Sequence, residues 1–522
     1  MRSSSRFFLW LSALAVLLCG CAGETAPSPE FTLKYDTPPE AFPADGGVFE
    51  VSLHWKACQI DVSVQEVYVQ PSLYHVGSID GEGDVSLTFT LAPNTGYTLR
   101  EAHLAFVPSD GSEPREIVLS QEGLGLEEAS VTVDPSRRFQ SWDGFGAMNL
   151  GTNWKNNTDW SETDADALLG DMGISIMRIR IPYDESRWEA LAEECRYAYR
   201  QYGVKILATP WSMPSSMKDP EQIPAKKDGV TTSLKPECYE EYARYLERFA
   251  AFMKDAGVPI EAISVQNEPD YAPEYDGCLW SAAQHLAFVR DYGQLIRSAA
   301  LVTAESFSSR QAFYDPVLQD ATACSHIDIV GGHLYGTTPE PYDLAADKGK
   351  RLWMTEHLLN ASWSDGTDHW EETLQMLQEI HQCILCGWNA YIWWYGCRYY
   401  SLAGDGDEGT TRGEILPRGY AYAHFSKYIR PGDVRVAATV SGSQSLLGCA
   451  FEGSDGGLRI VLVNLTESRK DITLDAGVAE GSAWGIYTSP QMNAASLTLE
   501  ADSPHAIRFS LPGRSVATLL VR

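Results

Sequence analysis

The stretch Ile263-Ser-Val-Gln-Asn-Glu-Pro-Asp-Tyr271 decides the fold, because a short apolar strand gives way there to polar residues. Glu268 follows the strand and is held against Pro269, which cannot continue strand pairing. A carboxylate at the carboxyl end of a parallel strand is typical of a (β/α)8 barrel, whose active site lies at that end. The stretch therefore predicts a barrel with a reactive carboxylate at its mouth.

A second acidic residue has the same setting later in the chain. Glu356 ends Leu352-Trp-Met-Thr-Glu356, another short apolar run. Two carboxylates at two strand ends of one barrel favour glycoside hydrolysis, in which one carboxyl group is acid and base and the other is the nucleophile. The alternative is a pair of ordinary strand-end acids held in salt bridges.

Strand-like runs alternate with amphipathic helices around these two stretches. One helix is marked by the apolar stripe of Tyr242, Leu246, Phe249 and Met253. After a first strand ending in Gly144-Phe-Gly146, strand-like runs fall near residues 174–181, 204–209, 261–266, 301–305, 326–331, 351–355 and 389–394. This alternation predicts a (β/α)8 TIM barrel over residues 141–430.

Short strands separated by turn residues flank the barrel on both sides. Residues 31–124 predict an immunoglobulin-like β-sandwich, and residues 431–522 predict a side β-sandwich. A strand at 129–133, in the connecting segment 125–140, is expected to complete the side β-sandwich. The predicted fold class is a multidomain chain in which an immunoglobulin-like β-sandwich precedes a TIM barrel with a side β-sandwich.

The N-terminal β region contains Gly46-Gly47, Trp55, Asn94, Arg100 and Gln121 at characteristic places. In these residues it resembles the BACON domain, a module appended to secreted carbohydrate-active enzymes of Bacteroidetes. The resemblance implies carbohydrate binding, and a stalk that holds the catalytic part away from the membrane is an equal alternative.

The N-terminus carries a targeting signal. Arg2 and Arg6 precede an apolar run, Phe7 to Leu18, that is too short to span a bilayer. A small residue before Cys21 resembles a bacterial lipobox, so residues 1–20 are predicted to be a lipoprotein signal peptide, Cys21 the lipid anchor and residues 21–30 a tether. A plain cleaved secretory signal is the alternative. Both imply export, and the lipobox implies an outer-membrane lipoprotein at the cell surface or facing the periplasm.

Composition restricts the partners. The 522 residues carry a formal net charge of −30, which argues against nucleic acid and anionic membrane surfaces, so membrane contact is expected through the lipid anchor only. The 15 Trp and 25 Tyr residues offer flat faces that suit pyranose rings, although most are expected in the core. An acidic glycan would need a local basic anchor on this acidic chain.

The cysteines after the leader do not form a disulfide framework, because their number is odd and their spacing irregular. Cys383-x-x-Cys386 could indicate metal or redox chemistry, but it lies late in a helical pattern without a second Cys pair. Both cysteines are therefore interpreted as buried helix residues, and His381 nearby as a core histidine rather than a ligand. No metal site is predicted.

Six segments of residues 129–522 carry a family pattern: Trp142-Asp-Gly-Phe-Gly-Ala-Met-Asn149, Met177-Arg-Ile-Arg-Ile-Pro-Tyr183, Pro210-Trp-Ser-Met-Pro214, Val265-Gln-Asn-Glu-Pro269, Met354-Thr-Glu-His357 and Tyr391-Ile-Trp-Trp-Tyr395. With these segments, residues 129–522 resemble glycoside hydrolase family 30. The resemblance implies that Glu268 is the acid/base and Glu356 the nucleophile. It also implies retention of configuration through a covalent glycosyl-enzyme, without metal or organic cofactor.

Neighbours of the two glutamates are assigned from their places on the strands. Asn267 is expected to hydrogen-bond the sugar hydroxyl beside the reacting carbon. Arg178 and Arg180 share one strand face, and Arg180, nearer the mouth, is expected to keep Glu356 ionised. For Arg178, a purely structural ion pair low in the barrel is an equal alternative to a role beside the catalytic carboxylates.

Aromatic residues at other strand ends are candidates for substrate contacts. His333 and Tyr335 end the sixth strand, and Tyr335 is expected to hydrogen-bond Glu356. Trp211 and Tyr271 are expected to be sugar platforms, whereas Trp393 is expected in the core.

The segment after the eighth strand decides the predicted substrate. Trp394, Arg398 and Tyr400 match the spacing that forms a glucuronic acid pocket in the glucuronoxylanase branch of the family. The resemblance implies that Arg398 pairs bidentately with a uronate carboxylate, and Ser362 is expected to add a contact. The alternative is an arginine in a surface loop.

One departure from that branch is a long loop over residues 401–417. Asp405, Asp407 and Glu408 lie in it, where they would crowd or repel an acidic substituent. Calcium binding by these acids is an alternative, but solvation is the commoner fate.

The predicted function is a retaining endo-β-1,4-xylanase that acts as a monomer on xylan polysaccharide or oligosaccharide. It cuts glucuronoxylan where the (methyl)glucuronic acid branch directs it. Alternatives on the same scaffold are a branch-independent xylanase, a β-1,6-glucanase and an exo-β-glycosidase. An alternative of another class is a non-catalytic glycan-binding surface lipoprotein, which would not need paired glutamates.

Overall fold

The computed structural model describes residues 28–94, 99–123, 126–149, 160–359, 369–501 and 503–522. The chain divides into two compact units, residues 1–124 and 125–522. The predicted signal peptide with Cys21, and the predicted contact Ser362, lie outside the described residues. In the described ranges no helix is long and apolar enough to cross a membrane.

The first unit is built from antiparallel strands. They are β1 (Glu30–Lys34), β2 (Gly47–Val64), β3 (Val69–Pro71), β4 (His75–Leu91), β5 (Arg100–Pro108) and β6 (Arg115–Gln121). Their hydrogen-bonded order is β3-β4-β2-β5-β6, with β1 also paired to β2. Alternate residues of β2, such as Val51 and Leu53, are buried with Phe89 and Phe106, as the period of two in a strand requires. The unit therefore has a core of its own.

The second unit begins with β7 (Leu126–Ser141) and continues as a closed barrel of parallel strands. The first three barrel strands are β8 (Gly144–Met148), β9 (Ile176–Ile181) and β10 (Lys205–Pro210). Four two-residue strands outside the barrel follow: β11 (Lys218–Asp219), β12 (Lys226–Lys227), β13 (Val230–Thr231) and β14 (Ser233–Leu234). The other five barrel strands are β15 (Ala262–Ser264), β16 (Ala300–Val302), β17 (Ile329–His333), β18 (Arg351–Glu356) and β19 (Ala390–Tyr395). The predicted barrel is thereby confirmed. All eight strands point the same way, so their carboxyl ends meet at one mouth.

Helices surround the barrel. They are α1 (Glu162–Ala165), α2 (Trp188–Tyr202), α3 (Tyr239–Asp255), α4 (Ala282–Tyr292), α5 (Gln311–Gln319), α6 (Ala321–His326), α7 (Asp343–Asp347), α8 (His369–Leu385) and α9 (Pro417–Ser426), with a π-helix at Asp166–Asp171 and single 3₁₀ turns at Glu185–Arg187, Ser215–Met217, Pro236–Cys238 and Gly293–Leu295. The stripe predicted on α3 is fully buried, as expected for an amphipathic helix packed on a barrel.

Helix α8 decides the interpretation of His381 and the cysteine pair. His381 is buried with its Nε2 3.1 Å from the carbonyl oxygen of Gly448, so it is a core histidine as expected. Cys383 is buried in the helix, but Cys386 follows its last residue and is half-buried, so that prediction was wrong for Cys386. The helix ends early because Gly387 adopts a positive φ of 84°.

The side β-sandwich is formed by strands from both ends of the second unit. Its later strands are β20 (Val434–Ser441), β21 (Leu446–Glu452), β22 (Leu458–Asn464), β23 (Arg469–Asp475), β24 (Ala483–Ser489), β25 (Met492–Ser496), β26 (Glu500–Ala501), β27 (Ile507–Leu511) and β28 (Ser515–Val521). Strand β7, which contains residues 129–133, pairs with β20 and β23. On the barrel side, the ring nitrogens of His424 in α9 lie 2.8 and 2.9 Å from the hydroxyls of Thr518 and Thr488.

Candidate active site

The carboxyl ends of neighbouring strands bring a cluster of charged residues together. Its members are Arg178 on β9, Glu268 after β15, Glu305 after β16, His333 at the end of β17 and Glu356 at the end of β18. All five side chains are at most 6% exposed. Buried charges persist only when they are paired, and the members of this cluster satisfy one another.

The backbone places Glu268 through its contacts with the neighbouring strand ends. The amide of Glu268 donates to the carbonyl of Glu305 (2.9 Å), and the amide of Asn267 donates to that of Pro210 (3.0 Å). Glu268 itself has a φ of +46°, a left-handed conformation that costs a residue with a side chain about 1–2 kcal/mol. These hydrogen bonds hold the strained backbone and direct the carboxylate into the barrel mouth.

Both carboxylate oxygens of Glu268 have partners. The hydroxyl of Tyr275 donates to Oε2 at 2.8 Å, and Nδ1 of His333 lies 3.2 Å from Oε1. His333, predicted as a substrate contact, is fully buried, so it acts on Glu268 from below. Tyr275 was not predicted, and nothing in its sequence context singles it out.

Arg178 and Tyr335 hold Glu356. Nη1 of Arg178 lies 2.5 Å from Oε2, and the hydroxyl of Tyr335 donates to Oε1 at 2.9 Å. The expected contact of Tyr335 is therefore present.

The expectation that Arg180 keeps Glu356 ionised was wrong. Arg180 pairs instead with Asp276, in the connection after β15. Both arginines lie on the inner strand face, but Arg178 is enclosed between the carboxylates of Glu305 and Glu356, whereas Asp276 draws Arg180 to the rim.

Glu305 is a member of the cluster that sequence reasoning missed. Its carboxylate accepts from the hydroxyl of Thr209 at 2.9 Å and lies 3.1 Å from Nη2 of Arg178. The same guanidinium nitrogen donates to Oδ1 of Asn267 at 2.8 Å. The signal was available, because Glu305 follows the apolar run Leu301-Val302 as Glu268 follows its own strand.

Mutual electrostatics set the charges of the cluster. Burial alone would raise the pKa of Glu305, but the charges of Arg178 and His333 bring it down to about 2. Burial would lower the pKa of His333, yet the charge of Glu356 and the contacts with Glu268 and Glu305 raise it to about 9. At neutral pH Glu305 is therefore an anion and His333 a cation.

The pKa of Glu356 reflects two opposed influences. Burial raises it, the charges of His333 and Arg178 lower it, and the nearby carboxylate of Glu268 raises it again. The pKa of Glu356 is raised above its ordinary value, because burial outweighs the two cations, which limit the rise.

The spacing of the two glutamates distinguishes between the two modes of glycoside hydrolysis. One carboxylate oxygen of Glu268 and one of Glu356 lie within 4.8 Å of each other. Retaining enzymes hold their carboxyl groups about 5–5.5 Å apart, whereas inverting enzymes need about 6.5–9.5 Å for an intervening water. The geometry fits retention. With His333, the two glutamates also form a set of possible metal ligands, but Arg178 and cationic His333 already place positive charge there.

A cavity of about 420 Å³ opens above the two glutamates. It is lined by Arg180, Trp211, Glu268, Tyr271, Tyr275, Phe307, Tyr335, Glu356, Trp394 and Tyr395. Tyr271 stacks on Phe307 with ring centroids 4.4 Å apart, and Phe307 stacks on Tyr335 at 5.0 Å. Trp211 and Trp394 lie 5.9 Å apart in the same lining. Such aromatic walls suit the faces of sugar rings.

The predicted aromatic residues differ in how far their side chains are exposed. Tyr271 is 41% exposed at the rim, whereas Trp211 is 5% exposed, with Arg178 4.8 Å from its ring centroid. Trp393 is fully buried, as expected, and its Nε1 donates to the hydroxyl of Ser401 at 3.0 Å.

The three residues of the predicted uronate pocket do not share one lining. Trp394 lines the catalytic cavity, whereas Tyr400 is buried and lines a separate cavity of about 280 Å³. The guanidinium of Arg398 lies 5.6 Å from the ring centroid of Tyr395 and 5.7 Å from that of Tyr400. Arg398 therefore lies beside Tyr395, which lines the catalytic cavity.

Arg398 has an acidic partner in the long loop. Its Nη1 lies 3.6 Å from Oδ2 of Asp405, and the two side chains are 13% and 4% exposed. Arg398 thus lies in a loop, as the alternative to a uronate anchor has it, but its side chain is largely enclosed. Asp407 and Glu408, by contrast, are exposed.

A closed (β/α)8 barrel with two buried carboxylates at retaining distance in an aromatic cavity defines a glycoside hydrolase. A family model described as the glycosyl hydrolase family 30 beta sandwich domain matches residues 432–519. Glucuronoxylanase XynC of Bacillus subtilis strain 168 is 35% identical over 408 residues, which cover 76% of this chain and 92% of that protein.

Solved structures agree with these matches. The family 30 subfamily 8 xylanase Xyn30A from Clostridium acetobutylicum superposes with a TM-score of 0.66 at 31% identity and covers 76% of this chain and 99% of its own. A family 30 endoxylanase from Clostridium papyrosolvens C71 gives a TM-score of 0.65 at 30% identity, with coverage of 76% and 100%. The chain therefore belongs to glycoside hydrolase family 30.

Proposed function

We propose that the protein is a retaining endo-β-1,4-xylanase that acts on glucuronoxylan and is directed by the (methyl)glucuronic acid branch. The observation that carries this proposal is the glutamate pair at retaining distance beneath an aromatic cavity that Arg398 adjoins. The similarity to a glucuronoxylanase over most of its length supports the substrate class.

In the first chemical step Glu268, protonated, gives its proton to the glycosidic oxygen while a carboxylate oxygen of Glu356 attacks the anomeric carbon. The bond to the leaving sugar breaks and an ester to Glu356 forms. Arg178 and Tyr335 hold the attacking carboxylate in place through their contacts with its two oxygens. In the second step Glu268, now ionised, removes a proton from water, which attacks the same carbon and releases Glu356.

Arg398 is the residue we propose to select the branch. A guanidinium pairs bidentately with a carboxylate, and Arg398 lies against Tyr395 in the wall of the catalytic cavity. A uronate on a bound xylan chain would therefore meet a cation beside the cleavage site.

Product analysis on glucuronoxylan and unbranched xylan tests the proposal, with the wild type and Arg398→Ala in parallel. We expect each product from glucuronoxylan to carry one uronic acid at a fixed position, little cutting of unbranched xylan, and loss of most activity in Arg398→Ala. Equal cutting of both substrates by both proteins would favour a branch-independent xylanase. Absence of cutting would favour a β-1,6-glucanase, an exo-β-glycosidase or a non-catalytic binder.

We also propose that residues 31–124 form a BACON-like immunoglobulin-fold domain. In support, β2 pairs with β1 over residues 52–56 and with β5 over residues 60–64, so its halves have different neighbours. Gln121 donates to the carbonyls of Pro43, Ala44 and Ala92, which belong to two segments, and Arg100 donates to Gln121 at 2.9 Å. Deleting residues 31–124 and measuring retention on insoluble xylan would distinguish a binding module, whose loss weakens retention, from a spacer.

We propose, from the leader sequence, that the chain is exported as a lipid-anchored outer-membrane protein. We propose residues 1–20 as the signal peptide and Cys21 as the anchor, at the cell surface or facing the periplasm. Cys21→Ser should move the protein from the membrane fraction to the soluble fraction. The proposed monomer is tested by sedimentation velocity on the released chain.

A further inference from the structure

We infer that Asp405 is a specificity-determining residue that weakens the attraction of Arg398 for an acidic branch. This inference rests on the proposed function, because it assigns a competitor to the same arginine. The enzyme would accordingly depend less on the branch than an enzyme of the same kind whose arginine lacks an acidic neighbour.

The contact between the two residues is enclosed. The Asp405 side chain is 4% exposed and that of Arg398 is 13% exposed, with 3.6 Å between Oδ2 and Nη1. Solvent screens such a pair less than a surface pair. The carboxylate therefore opposes the positive charge of Arg398.

The loop holds Asp405 in this position. The amide of Gly404 donates to the carbonyl of Glu414 (2.8 Å), and the carbonyl of Gly404 accepts from the amide of Gly413 (2.9 Å). The amide of Asp407 donates to Oδ1 of Asp405 at 3.1 Å. A side chain at position 404 would meet the carbonyl oxygen of Thr411 at 2.5 Å, so glycine is required there. The carboxylate is thus built into the loop.

The same loop fixes the arginine. The amide of Arg398 donates to the carbonyl of Ala403 at 2.9 Å, and the amide of Ala403 donates to that of Gly396 at 3.1 Å. These bonds hold the backbones of Arg398 and Asp405 in one loop, so the two side chains extend from a common framework.

A branch uronate that reaches Arg398 brings a second carboxylate to this enclosed site. The guanidinium has five N–H donors and can serve two carboxylates, but the like charges of the uronate and Asp405 repel one another. This repulsion acts only on a charged branch. Removing the charge of Asp405 should therefore improve binding of glucuronoxylan and leave unbranched xylan unaffected.

The opposing hypothesis is that Asp405 merely orients Arg398. In that case the loss of Asp405 would release the guanidinium, and glucuronoxylan would bind more weakly. The two hypotheses predict changes of opposite sign in one measured quantity, the KM for glucuronoxylan.

The test compares Asp405→Asn with wild type by measuring kcat and KM on glucuronoxylan and on unbranched xylan. We expect the KM for glucuronoxylan to fall about tenfold with kcat little changed, and both constants for unbranched xylan to stay the same. Asp407→Asn is the matched control, because it removes the same charge from an exposed position two residues further on. It should change neither KM.

Arg398→Ala separates this inference from the function on which it rests. We expect Asp405→Asn to bring no gain when combined with Arg398→Ala. If Arg398→Ala alone leaves branch preference unchanged, the proposed uronate site fails and the inference fails with it. If Arg398→Ala abolishes the preference but Asp405→Asn leaves the KM unchanged or raises it, only the role of Asp405 is overturned.

A second variant guards against a folding defect in Asp405→Asn. Asp405→Ser also removes the charge, and its hydroxyl can still accept from the amide of Asp407. It should lower the KM for glucuronoxylan in the same way, and thermal melting of both variants should match wild type. A fall in KM that also appears on unbranched xylan would contradict the inference, because the repulsion requires a charged branch.

Discussion

Arg178 and Arg398 each face carboxylates, yet they lie in different kinds of surroundings. Arg178 projects from β9 into the barrel, is completely buried, and contacts Glu305, Glu356 and Asn267. Arg398 lies in the loop after β19 and pairs with Asp405 of the same loop. The first arrangement is fixed by parallel strand ends and supports the reaction. The second is fixed by one loop and adjusts which substrate is held.

Removal of either glutamate should have the largest effect. Glu356→Gln removes the nucleophile and Glu268→Gln removes the transferable proton, so each should lower kcat by more than about 10⁴-fold. Initial rates on glucuronoxylan measure the effect. Glu408→Gln is the control, because it makes the same change at an exposed loop position. Near-normal activity in Glu356→Gln or Glu268→Gln would contradict the claim that the barrel cluster, unlike the loop around Arg398, supports the reaction.

Loss of Arg178 should come next. Arg178→Met removes a charge that lowers the pKa of Glu356, so that pKa should rise. Because the nucleophile reacts only when ionised, the acidic limb of kcat/KM should move to higher pH, and kcat should fall about 10²-fold to 10³-fold. Arg180→Met is the control, since Arg180 pairs with Asp276. If the acidic limb of the pH profile of kcat/KM moved in Arg180→Met but not in Arg178→Met, the assignment of Arg178 as the partner of Glu356 would be contradicted.

Acid should weaken the folded state through Glu305. Its folded pKa of about 2 lies below its ordinary value, so its contribution is complete above about pH 4.5 and is lost as the pH falls towards 2. The full contribution is at most about 3 kcal/mol in the free energy of unfolding. Urea unfolding at pH 6 and pH 3 measures it. In Glu305→Gln the loss on acidification should be smaller than in wild type, and an equal loss in both would refute this account.

Tyr335→Phe should have the smallest effect in the barrel. It removes one hydrogen bond to Glu356 and keeps the ring that stacks on Phe307, so kcat should fall about tenfold with little change in KM. Tyr271→Phe keeps a ring at the cavity rim and should leave kcat near wild type. A fall in KM alone for Tyr335→Phe would show that its hydroxyl does not act on the reaction.

The sequence predicts the barrel region well because its signals are local. Glu268 and Glu356 each follow a short apolar run within three residues, and parallel strands then bring their ends together. Glu305 carries the same signal and could have been identified by the same rule. The choice between Arg178 and Arg180 could not, because both occupy one strand face and the decision depends on Asp276, a residue from a distant connection.

The loop region was harder to predict for a physical reason. The position of Arg398 could be matched to a family pattern. Its pairing with Asp405, however, depends on a loop held by isolated backbone β-bridges between Cys397 and Ala403 and between Ala403 and Ile415. Such loop contacts follow no periodicity in the sequence. The same holds for Tyr400, which is buried away from the catalytic cavity that Trp394 lines.

The most direct test of the account is the anomeric configuration of the first products, followed by proton NMR during cleavage of glucuronoxylan. Two carboxylates with oxygens within 4.8 Å fit a covalent intermediate and two inversions at the anomeric carbon. The account predicts that β-configured reducing ends form first and that the α-anomer grows in later by mutarotation. Early appearance of the α-anomer would contradict the roles given to Glu268 and Glu356.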